Sequence, residues 1–289
     1  MSMQHEVMGV KLSGLSLTAV LERAQKTIDQ KGRLLICTPN PEIVLQSQKD
    51  RDFRSILNSF DIAVADGVGL LAHDRFMRLP RMKFKLLRYP VYLVEGLLAG
   101  LSIVFVRSLP RSIAGETLRV LKGRILAKKL LDLANEHKWK VYLLGDKRDN
   151  LFMDAKRVLS KKLPDCDIRA TAGAVYDQNA KPVNNKEYRK DINITKDIKE
   201  FSPDILLVGF GAPKQERWIM RNAKKLNAKL IMGVGGSFRY FARPKVFGLA
   251  IGPFEWLFRL VTGSNSIKRI LSATISFPWR SFLYKVKYG

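Results

Sequence analysis

The sequence has few of the residues that bind metals or form disulfides. Its two cysteines, Cys37 and Cys166, are far apart, and neither has a second cysteine at the spacing of a redox or zinc motif. The three histidines, at positions 5, 73 and 137, do not cluster. We therefore expect no disulfide framework, no bound metal and a reducing, cytosolic setting.

Acidic residues are also few. The 289 residues include 26 Asp and Glu against 51 Lys and Arg, which gives a formal charge of +25. This excess implies a polyanionic partner: nucleic acid, an anionic membrane surface or a phosphorylated substrate. Charge alone leaves all three open, so a non-enzymatic, basic nucleic-acid-binding protein stands as an alternative to an enzyme.

The alternation of apolar runs and amphipathic stretches indicates the fold class. The hydrophobic content of 46% is enough for a packed core, and the N-terminal residues lack the pattern of a secretory signal. Strands are predicted at 33–37, 61–65, 140–144, 204–208 and 230–234, and helices at 17–30, 125–137 and 151–162. Because helices and strands alternate, we predict an α/β fold with a Rossmann-like parallel sheet flanked by helices.

One segment, residues 75–118, interrupts this alternation with basic and apolar residues. Within it, the run 89–106 contains a single charge, Glu95, and as a helix would be about 27 Å long. Pro90 and two glycines weaken it as a membrane-spanning helix, and both flanks are basic, so we predict an interfacial or re-entrant element. An ordinary buried helical hairpin is the alternative.

The C-terminal segment also differs in composition. Residues 239–289 contain nine Lys or Arg, a single acid, Glu255, and interleaved aromatic residues. We predict a catalytic α/β domain at 1–240 that carries the inserted, membrane-interacting segment 75–118. Residues 241–289 are predicted to be an appendage that binds the membrane and completes the site.

Four predicted loops follow strands of the sheet and therefore meet at one edge, where open α/β sheets bind ligands. Asp66 ends the strand at 61–65, although it could instead only cap the helix that begins near Val68. The other loops carry Thr38 and Asn40, Gln215 and Glu216, and Gly235 and Gly236. A dinucleotide site is disfavoured because Lys214 and Phe238 occupy the positions of the last glycine in the G-x-G-x-x-G fingerprint. We predict no cofactor.

Seven motifs occur in an order that resembles the WecG/TagA/CpsF proteins, glycosyltransferase family 26. They are TPNPE, ADGVG, RVLKGR, VYLLG, VGFGAPKQE, GVGGSF and FEWLFRL. The resemblance implies an inverting, metal-independent transfer from a UDP-sugar donor to a polyprenyl-diphosphate-linked acceptor. It further implies N-acetylmannosamine or its uronic acid as the sugar, synthesis of teichoic-acid linkage units or related polysaccharides, and the cytoplasmic face of the membrane as location.

The resemblance also assigns roles to residues. Asp66 matches the family's general base, Thr38 and Asn40 its substrate loop, and Gln215 its sugar-binding glutamine. Without a metal, arginines are the expected partners of the UDP leaving group. The predicted substrate-binding residues are Thr38, Asn40, Gly67, Arg119, Gln215, Glu216, Gly235, Gly236, Arg259 and Arg269.

Two features mark where this chain departs from the family or leaves alternatives open. Arg239 follows G-G-S-F where the family usually has Asp, so sugar specificity and the role of Arg243 stay open. The basic residues gather around apolar runs, which favours lipid over nucleic acid as the polyanionic partner. A homo-oligomer is compatible with the sequence, but no feature of it requires one.

Overall fold

The computed structural model describes residues 4–82, 84, 87–105, 118–148, 150–243 and 272–288. The strands are β1 Gln4–Val7, β2 Val10–Ser13, β3 Leu34–Cys37, β4 Ile62–Ala63, β5 Lys140–Gly145, β6 Asp167–Ala172, β7 Ile205–Gly209 and β8 Leu230–Gly233. The helices are α1 Leu17–Asp29, α2 Pro41–Lys49, α3 Arg51–Asn58, α4 Val68–Arg78, α5 Arg88–Phe105, α6 Gly123–Glu136, α7 Leu151–Lys162, α8 Asn185–Phe201, α9 Lys214–Asn222, α10 Ser237–Ala242 and α11 Phe277–Tyr288. Short 3-10 and π turns occupy Ala223–Lys225 and Ser272–Ser276.

The predicted parallel sheet is confirmed. Its six strands lie in the order β4-β3-β8-β7-β5-β6, and every neighbouring pair is parallel. Helices cover both faces, so strands such as β3 and β8 are buried along their whole length. Side chains alternate between two cores, with Leu35 and Cys37 in one and Leu34 and Ile36 in the other. All six strands end at the same edge.

The extended chain before Asp66 continues beyond the two residues of β4. Val64 and Ala65 continue β4 as isolated bridges, to Ser13 of β2 and to Val120. The N–H of Leu121 donates to the carbonyl oxygen of Ala65 over 2.9 Å. The chain therefore returns from the inserted segment directly beside the strand that leads to Asp66.

The N-terminal region contains a hairpin, whose second strand lies within the short strand and turn that residues 9–17 predict. β1 and β2 form an antiparallel pair, Gln4 to Ser13 through Val7 to Val10. The polar stretch 177–190 is only partly a loop, because α8 already begins at Asn185. The side chain of Asn184 caps this helix by accepting from the N–H of Glu187.

The inserted segment and the C-terminal appendage, which are far apart in sequence, pack together. Phe76 of α4, Tyr92 of α5 and Phe282 of α11 form a small apolar core of their own. Lys285 is buried beside it, and its Nζ donates to Glu95 Oε2 over 2.8 Å and to the carbonyl of Phe76 over 2.7 Å. A buried cation is tolerated only when it is paired in this way.

Helix α5 is neither fully buried nor long and apolar enough to cross a bilayer. The part of the chain that the structure describes contains no helix that meets those two conditions. One side of α5 packs on α4 and α11, whereas its other side exposes large apolar residues, so the alternative of an ordinary buried hairpin is wrong. The exposed residues are Tyr89, Leu93, Val94, Leu97 and Leu98.

Candidate functional site

Asp66 lies in a tight turn between β4 and α4. Its N–H donates to the carbonyl oxygen of Pro39 over 2.8 Å, which joins this turn to the loop after β3. Gly67 is the N-cap residue of α4 and makes no side-chain cap hydrogen bond, so Asp66 lies one position before the cap, and its role as base stays a prediction. Gly67 has φ +127°, and a Cβ there would lie 3.2 Å from Pro41 Cδ, so the turn requires glycine. The half-buried carboxylate of Asp66 is thus held at the ligand-binding edge.

The loop after β3 places Thr38 and Asn40 beside this turn. The side-chain oxygen of Asn40 accepts from the N–H of Ile43 over 2.9 Å and caps α2. Thr38 packs closely on the first residue of α6, because a Cβ on Gly123 would lie 2.9 Å from Thr38 Oγ1. Both side chains are half-buried and have structural contacts of their own.

Arg119 is brought to the same end of the sheet. It precedes Val120 and Leu121, which pair with Ala65, and its side chain is exposed. Its neighbour Leu118 is buried, and the N–H of Leu118 donates to Asp74 Oδ2 of α4. The backbone of Arg119 therefore lies near the turn that carries Asp66, and the binding of phosphate by its side chain stays a prediction.

Gln215 is buried and links the two glycine-rich loops. Its Oε1 accepts from the N–H of Gly211 over 3.2 Å and from the N–H of Gly235 over 2.9 Å. Its Nε2 donates to Glu216 Oε1 over 2.7 Å. The side-chain amide of Gln215 therefore holds the loops after β7 and β8 together. This role was not predicted from the sequence.

Glu216 is buried beneath these loops, and its Oε2 has no hydrogen-bond partner among the described residues. Burial raises its pKa to about 7, while the hydrogen bond from Gln215 acts in the opposite direction. The pKa of the Cys37 thiol is raised by its own burial and, to a lesser extent, by the charge of Glu216. Glu216 thus lies close to the end of β3.

The glycines at the strand ends serve packing more than ligand approach. A Cβ would overlap Phe152 at Gly145, Phe210 at Gly173 and Phe238 at Gly209, each within 2.4 Å. At Gly236 a Cβ would meet no atom within 4 Å, and at Gly235 the nearest atom, Gln215 Oε1, is 3.9 Å away, so the loop after β8 is open.

A charged crevice between β5 and β7 escaped sequence reasoning. Arg148 donates from Nε and NH2 to the two oxygens of Asp146, and Lys214 Nζ lies 3.7 Å from Asp146 Oδ2. Phe210 and Tyr176 contribute its apolar wall. The charged run after the predicted strand 140–144 is the feature of the sequence that could have indicated this crevice. Lys214 was considered only as evidence against a dinucleotide site.

The C-terminal appendage reaches the turn after Asp66. Phe277 begins α11, and a Cβ on Gly69 would lie 3.7 Å from its ring. Ser281 Oγ lies 2.5 Å from His73 Nδ1 in α4. Burial lowers the pKa of His73 to about 4, so this histidine is neutral at physiological pH.

Two predicted site residues, Arg259 and Arg269, lie outside the described residues, as does the FEWLFRL motif. Among the residues that are described, no three His, Cys, Asp or Glu side chains form a group that could hold a metal ion. Independence of metal stays a prediction. The structure thus brings Asp66, Thr38, Asn40 and Arg119 to one end of the sheet edge and places Gln215, Glu216, Gly235 and Gly236 farther along it.

Comparison with known proteins gives a family for this arrangement. The model of the "Glycosyl transferase WecG/TagA/CpsF family" matches residues 5–102 and 100–289. A Staphylococcus aureus (strain NCTC 8325 / PS 47) protein is 24% identical over 286 residues, which are 97% of this chain and 91% of the relative. Its name is N-acetylglucosaminyldiphosphoundecaprenol N-acetyl-beta-D-mannosaminyltransferase. The proteins of that name from strains COL and MRSA252 match with the same identity and coverage.

Proposed function

This chain belongs to the WecG/TagA/CpsF family of glycosyltransferases, and on that premise we propose which transfer it catalyses. The donor is a UDP-sugar that carries N-acetylmannosamine or its uronic acid, and the acceptor is a polyprenyl-diphosphate-linked sugar. The names of the staphylococcal relatives support both the sugar and the acceptor. The product would be a linkage unit of a teichoic acid or a related surface polysaccharide.

The observation that carries the proposal is the position of Asp66 at the ligand-binding edge, in a turn that requires Gly67. Inverting transfer needs one carboxylate on the side of the incoming hydroxyl. Asp66 accepts the proton of the acceptor hydroxyl as its oxygen bonds to the anomeric carbon. The bond from that carbon to the donor phosphate breaks on the opposite side, and UDP leaves with the bonding electrons.

Departure of UDP needs positive charge near the leaving oxygen, because a further negative charge develops on the β-phosphate as its bond to the sugar breaks, next to the charges that the diphosphate already carries. Arg119 is the exposed cation placed beside the Asp66 strand, and Arg259 and Arg269 of the appendage stay candidates for the same role. No metal takes part in this proposal. Activity should therefore persist in EDTA, whereas strict dependence on Mg²⁺ or Mn²⁺ would overturn the assignment to arginines.

The proposed location is the cytoplasmic face of a membrane, with the protein bound peripherally. Tyr89 of α5 contacts Phe282 of α11, whose ring stacks on Trp279, so the exposed apolar residues of the two helices are continuous. Arg280 and Lys287 are exposed on α11. Apolar side chains bordered by cations suit an anionic bilayer surface, where each Lys or Arg contributes about 1 kcal/mol.

The same surface argues against the nucleic-acid-binding alternative. Proteins that bind single strands present aromatic rings within a basic groove, usually on a sheet. Here the exposed apolar residues lie on helices, and many of them are aliphatic. The position of the helices also brings a membrane close to Asp66, since α4 begins at the Asp66 turn and α11 packs on it.

A direct assay tests the proposal. Purified protein is incubated with UDP-N-acetylmannosamine and a short-chain lipid-diphosphate N-acetylglucosamine acceptor, and UDP release and the disaccharide product are measured. Product with an inverted anomeric configuration is expected, without any shift of labelled RNA or DNA by the protein. A nucleic-acid shift in the absence of sugar transfer would favour the alternative.

A further inference from the structure

One buried carboxylate, that of Asp74, lies inside helix α4 and has no role in the mechanism described above. Only 8% of its side chain is exposed. Aspartate is a poor helix former, and it is rarely buried unless partners satisfy its charge. Asp74 follows Val68, the first residue of α4, by about 9 Å along the helix axis. It therefore belongs to the helix that begins directly after the Asp66 turn.

The carboxylate of Asp74 joins three segments of the chain. Its Oδ1 lies 2.9 Å from Nδ1 of His5, a buried residue of β1. Its Oδ2 accepts from Nε of Arg78, one turn later in α4, over 3.1 Å. The same oxygen accepts from the N–H of Leu118, the last residue of the inserted segment, over 3.2 Å. A single buried group thus fixes the N-terminal hairpin and the end of the inserted segment relative to α4.

Two backbone attachments enclose Arg119. The N–H of the residue before it is bound by Asp74. After it, Val120 bridges to Ala65, and the next N–H along the chain donates to the carbonyl oxygen of Ala65 over 2.9 Å. Ala65 immediately precedes Asp66. The backbone of Arg119 is therefore attached both to the strand that leads to Asp66 and to the helix that follows it.

Asp74 holds this backbone without forming an ion pair with Arg119. Among the described residues, its ionic partners are Arg78 and, where that histidine is protonated, His5. The side chain of Arg119 is exposed. The carboxylate thus fixes where Arg119 lies, and it leaves the guanidinium accessible to an anionic substrate.

We propose that Asp74 is a positioning residue, which sets the distance between Arg119 and Asp66 by accepting from the N–H of Leu118. This inference rests on the proposed function, in which Asp66 takes up a proton and Arg119 stabilises the leaving UDP. Both groups act on the same anomeric centre, where a displacement of about 1 Å can cost 10²-fold in rate. Asp74 is buried and acts only through the backbone of Arg119.

A buried carboxylate with three partners also stabilises the fold, so the test must separate position from stability. Asp74→Ala removes every contact, whereas Asp74→Asn keeps an oxygen for the N–H of Leu118. His5→Phe is the matched control, because it removes another partner of the same carboxylate and leaves the bond to Leu118 in place. The kcat for transfer to a water-soluble acceptor and the midpoint of thermal unfolding are measured for each full-length variant.

Asp74→Ala should lower kcat by about tenfold to a hundredfold, and Asp74→Asn should retain most of the activity. His5→Phe should lower the unfolding midpoint and leave kcat unchanged. The decisive comparison is made in an Arg119→Ala background, where no guanidinium remains to be misplaced. There Asp74→Ala should change kcat by less than about twofold, because residues that act through one another do not have additive effects.

Hydrogen exchange tests the attachment without any substrate. The N–H of Leu118 should exchange faster in Asp74→Ala than in wild type, and at the wild-type rate in His5→Phe. Slow exchange in Asp74→Ala would show that Asp74 does not hold this backbone, and the proposal would be wrong. If the wild type transfers no sugar, the proposed function is wrong, whereas the exchange rates still decide whether Asp74 fixes the backbone of Arg119.

Two kinetic outcomes would also overturn the proposal. Full activity of Arg119→Ala would mean that there is no catalytic cation to position. Equal losses from Asp74→Ala with and without Arg119 would mean that Asp74 only stabilises the fold. If Asp74→Ala does not fold, the double variant His5→Leu/Asp74→Leu replaces the buried polar pair by apolar residues and is compared in the same two backgrounds.

Discussion

The two ends of the ligand-binding edge differ in what surrounds them. At the β4 end, Asp66 lies in a turn joined to α4, and the neighbouring helices α5 and α11 expose a continuous apolar surface. At the β5 and β7 end, the surroundings are an ion-paired crevice and aromatic rings packed on glycines. The first end therefore combines exposed apolar side chains with the Asp66 turn, whereas the described side chains of the second end are charged or tightly packed.

Under the proposed function, the apolar helices would hold the Asp66 turn near the membrane that carries the acceptor. In the described part of the chain these helices pack at the β4 end, whereas the opposite end contains the ion pair of Arg148 and Asp146. Reaction would take place near Asp66, Thr38 and Arg119. Variants at each end should therefore have separable effects.

The largest effect is expected for Asp66→Asn. The amide keeps the shape of the carboxylate but cannot take up the acceptor proton, so kcat should fall by about 10² to 10⁴. UDP affinity should remain at the wild-type value, because binding of the nucleotide does not require a proton acceptor. The exposed Asp52→Asn on α3 is the control for loss of one negative charge. Near wild-type turnover in Asp66→Asn would exclude it as the base.

The next largest effect is expected at the junction of the apolar helices, which is the contact of α4, α5 and α11 around Lys285. Lys285→Met leaves Glu95 without its partner and should destabilise the docking of α11 by about 3 kcal/mol. Hydrogen exchange should accelerate in α11, and transfer to a water-soluble acceptor should fall because Phe277 no longer supports the Asp66 turn. UDP affinity should not change.

A paired variant provides the control for this junction. Adding Glu95→Gln to Lys285→Met removes the uncompensated charge and should recover part of the stability. If the amide hydrogens of α11 exchange as slowly in Lys285→Met as in wild type, the ion pair does not hold the two segments together.

Glu216 gives a pH-dependent prediction for the buried residues between the two ends. Its pKa is about 7 in the folded protein and about 4.5 when unfolded, so the folded state binds more protons between these values and wild-type stability falls as pH rises through this window. Glu216→Gln retains an acceptor for Gln215 but does not ionise. Relative to wild type it should gain up to about 3 kcal/mol between pH 4.5 and 8.

Thermal unfolding of both proteins across this pH range measures the difference. The exposed Glu22→Gln on α1 is the control, and it should show no comparable dependence on pH. A constant difference between wild type and Glu216→Gln would mean that Glu216 does not change its protonation on unfolding in this range.

The smallest effect concerns the apolar surface. Leu97 is 63% exposed on α5, and Leu97→Glu should weaken binding to anionic liposomes by about tenfold while leaving transfer to a water-soluble acceptor unchanged. Ile192→Glu places the same charge on α8, at a residue that is 48% exposed, and should bind liposomes like wild type. If both variants lose the same affinity for liposomes, the change in net charge and not this surface is the cause.

Much of the sheet could be predicted from local patterns. The strand at 204–208 appears as Ile205–Gly209, the helix at 151–162 has the bounds Leu151–Lys162, and Asp66 follows its strand as expected. These elements are short apolar runs or amphipathic stretches with clear breakers, so a few neighbouring residues specify them. The hairpin was only partly predicted, because residues 9–17 indicate a strand and a turn, whereas the four residues of β1 were not recognised as a strand.

The sequence by itself determined the fold class, the family and the set of loops that reach one edge, because parallel strands must end on the same side. Only the tertiary structure decided which side chains meet. It joined Glu95 to Lys285 across 190 positions, put Gln215 between two loops and set Lys214 against Asp146. Such contacts depend on how helices pack on the sheet, and residues so far apart in the chain leave no local pattern that would indicate their pairing.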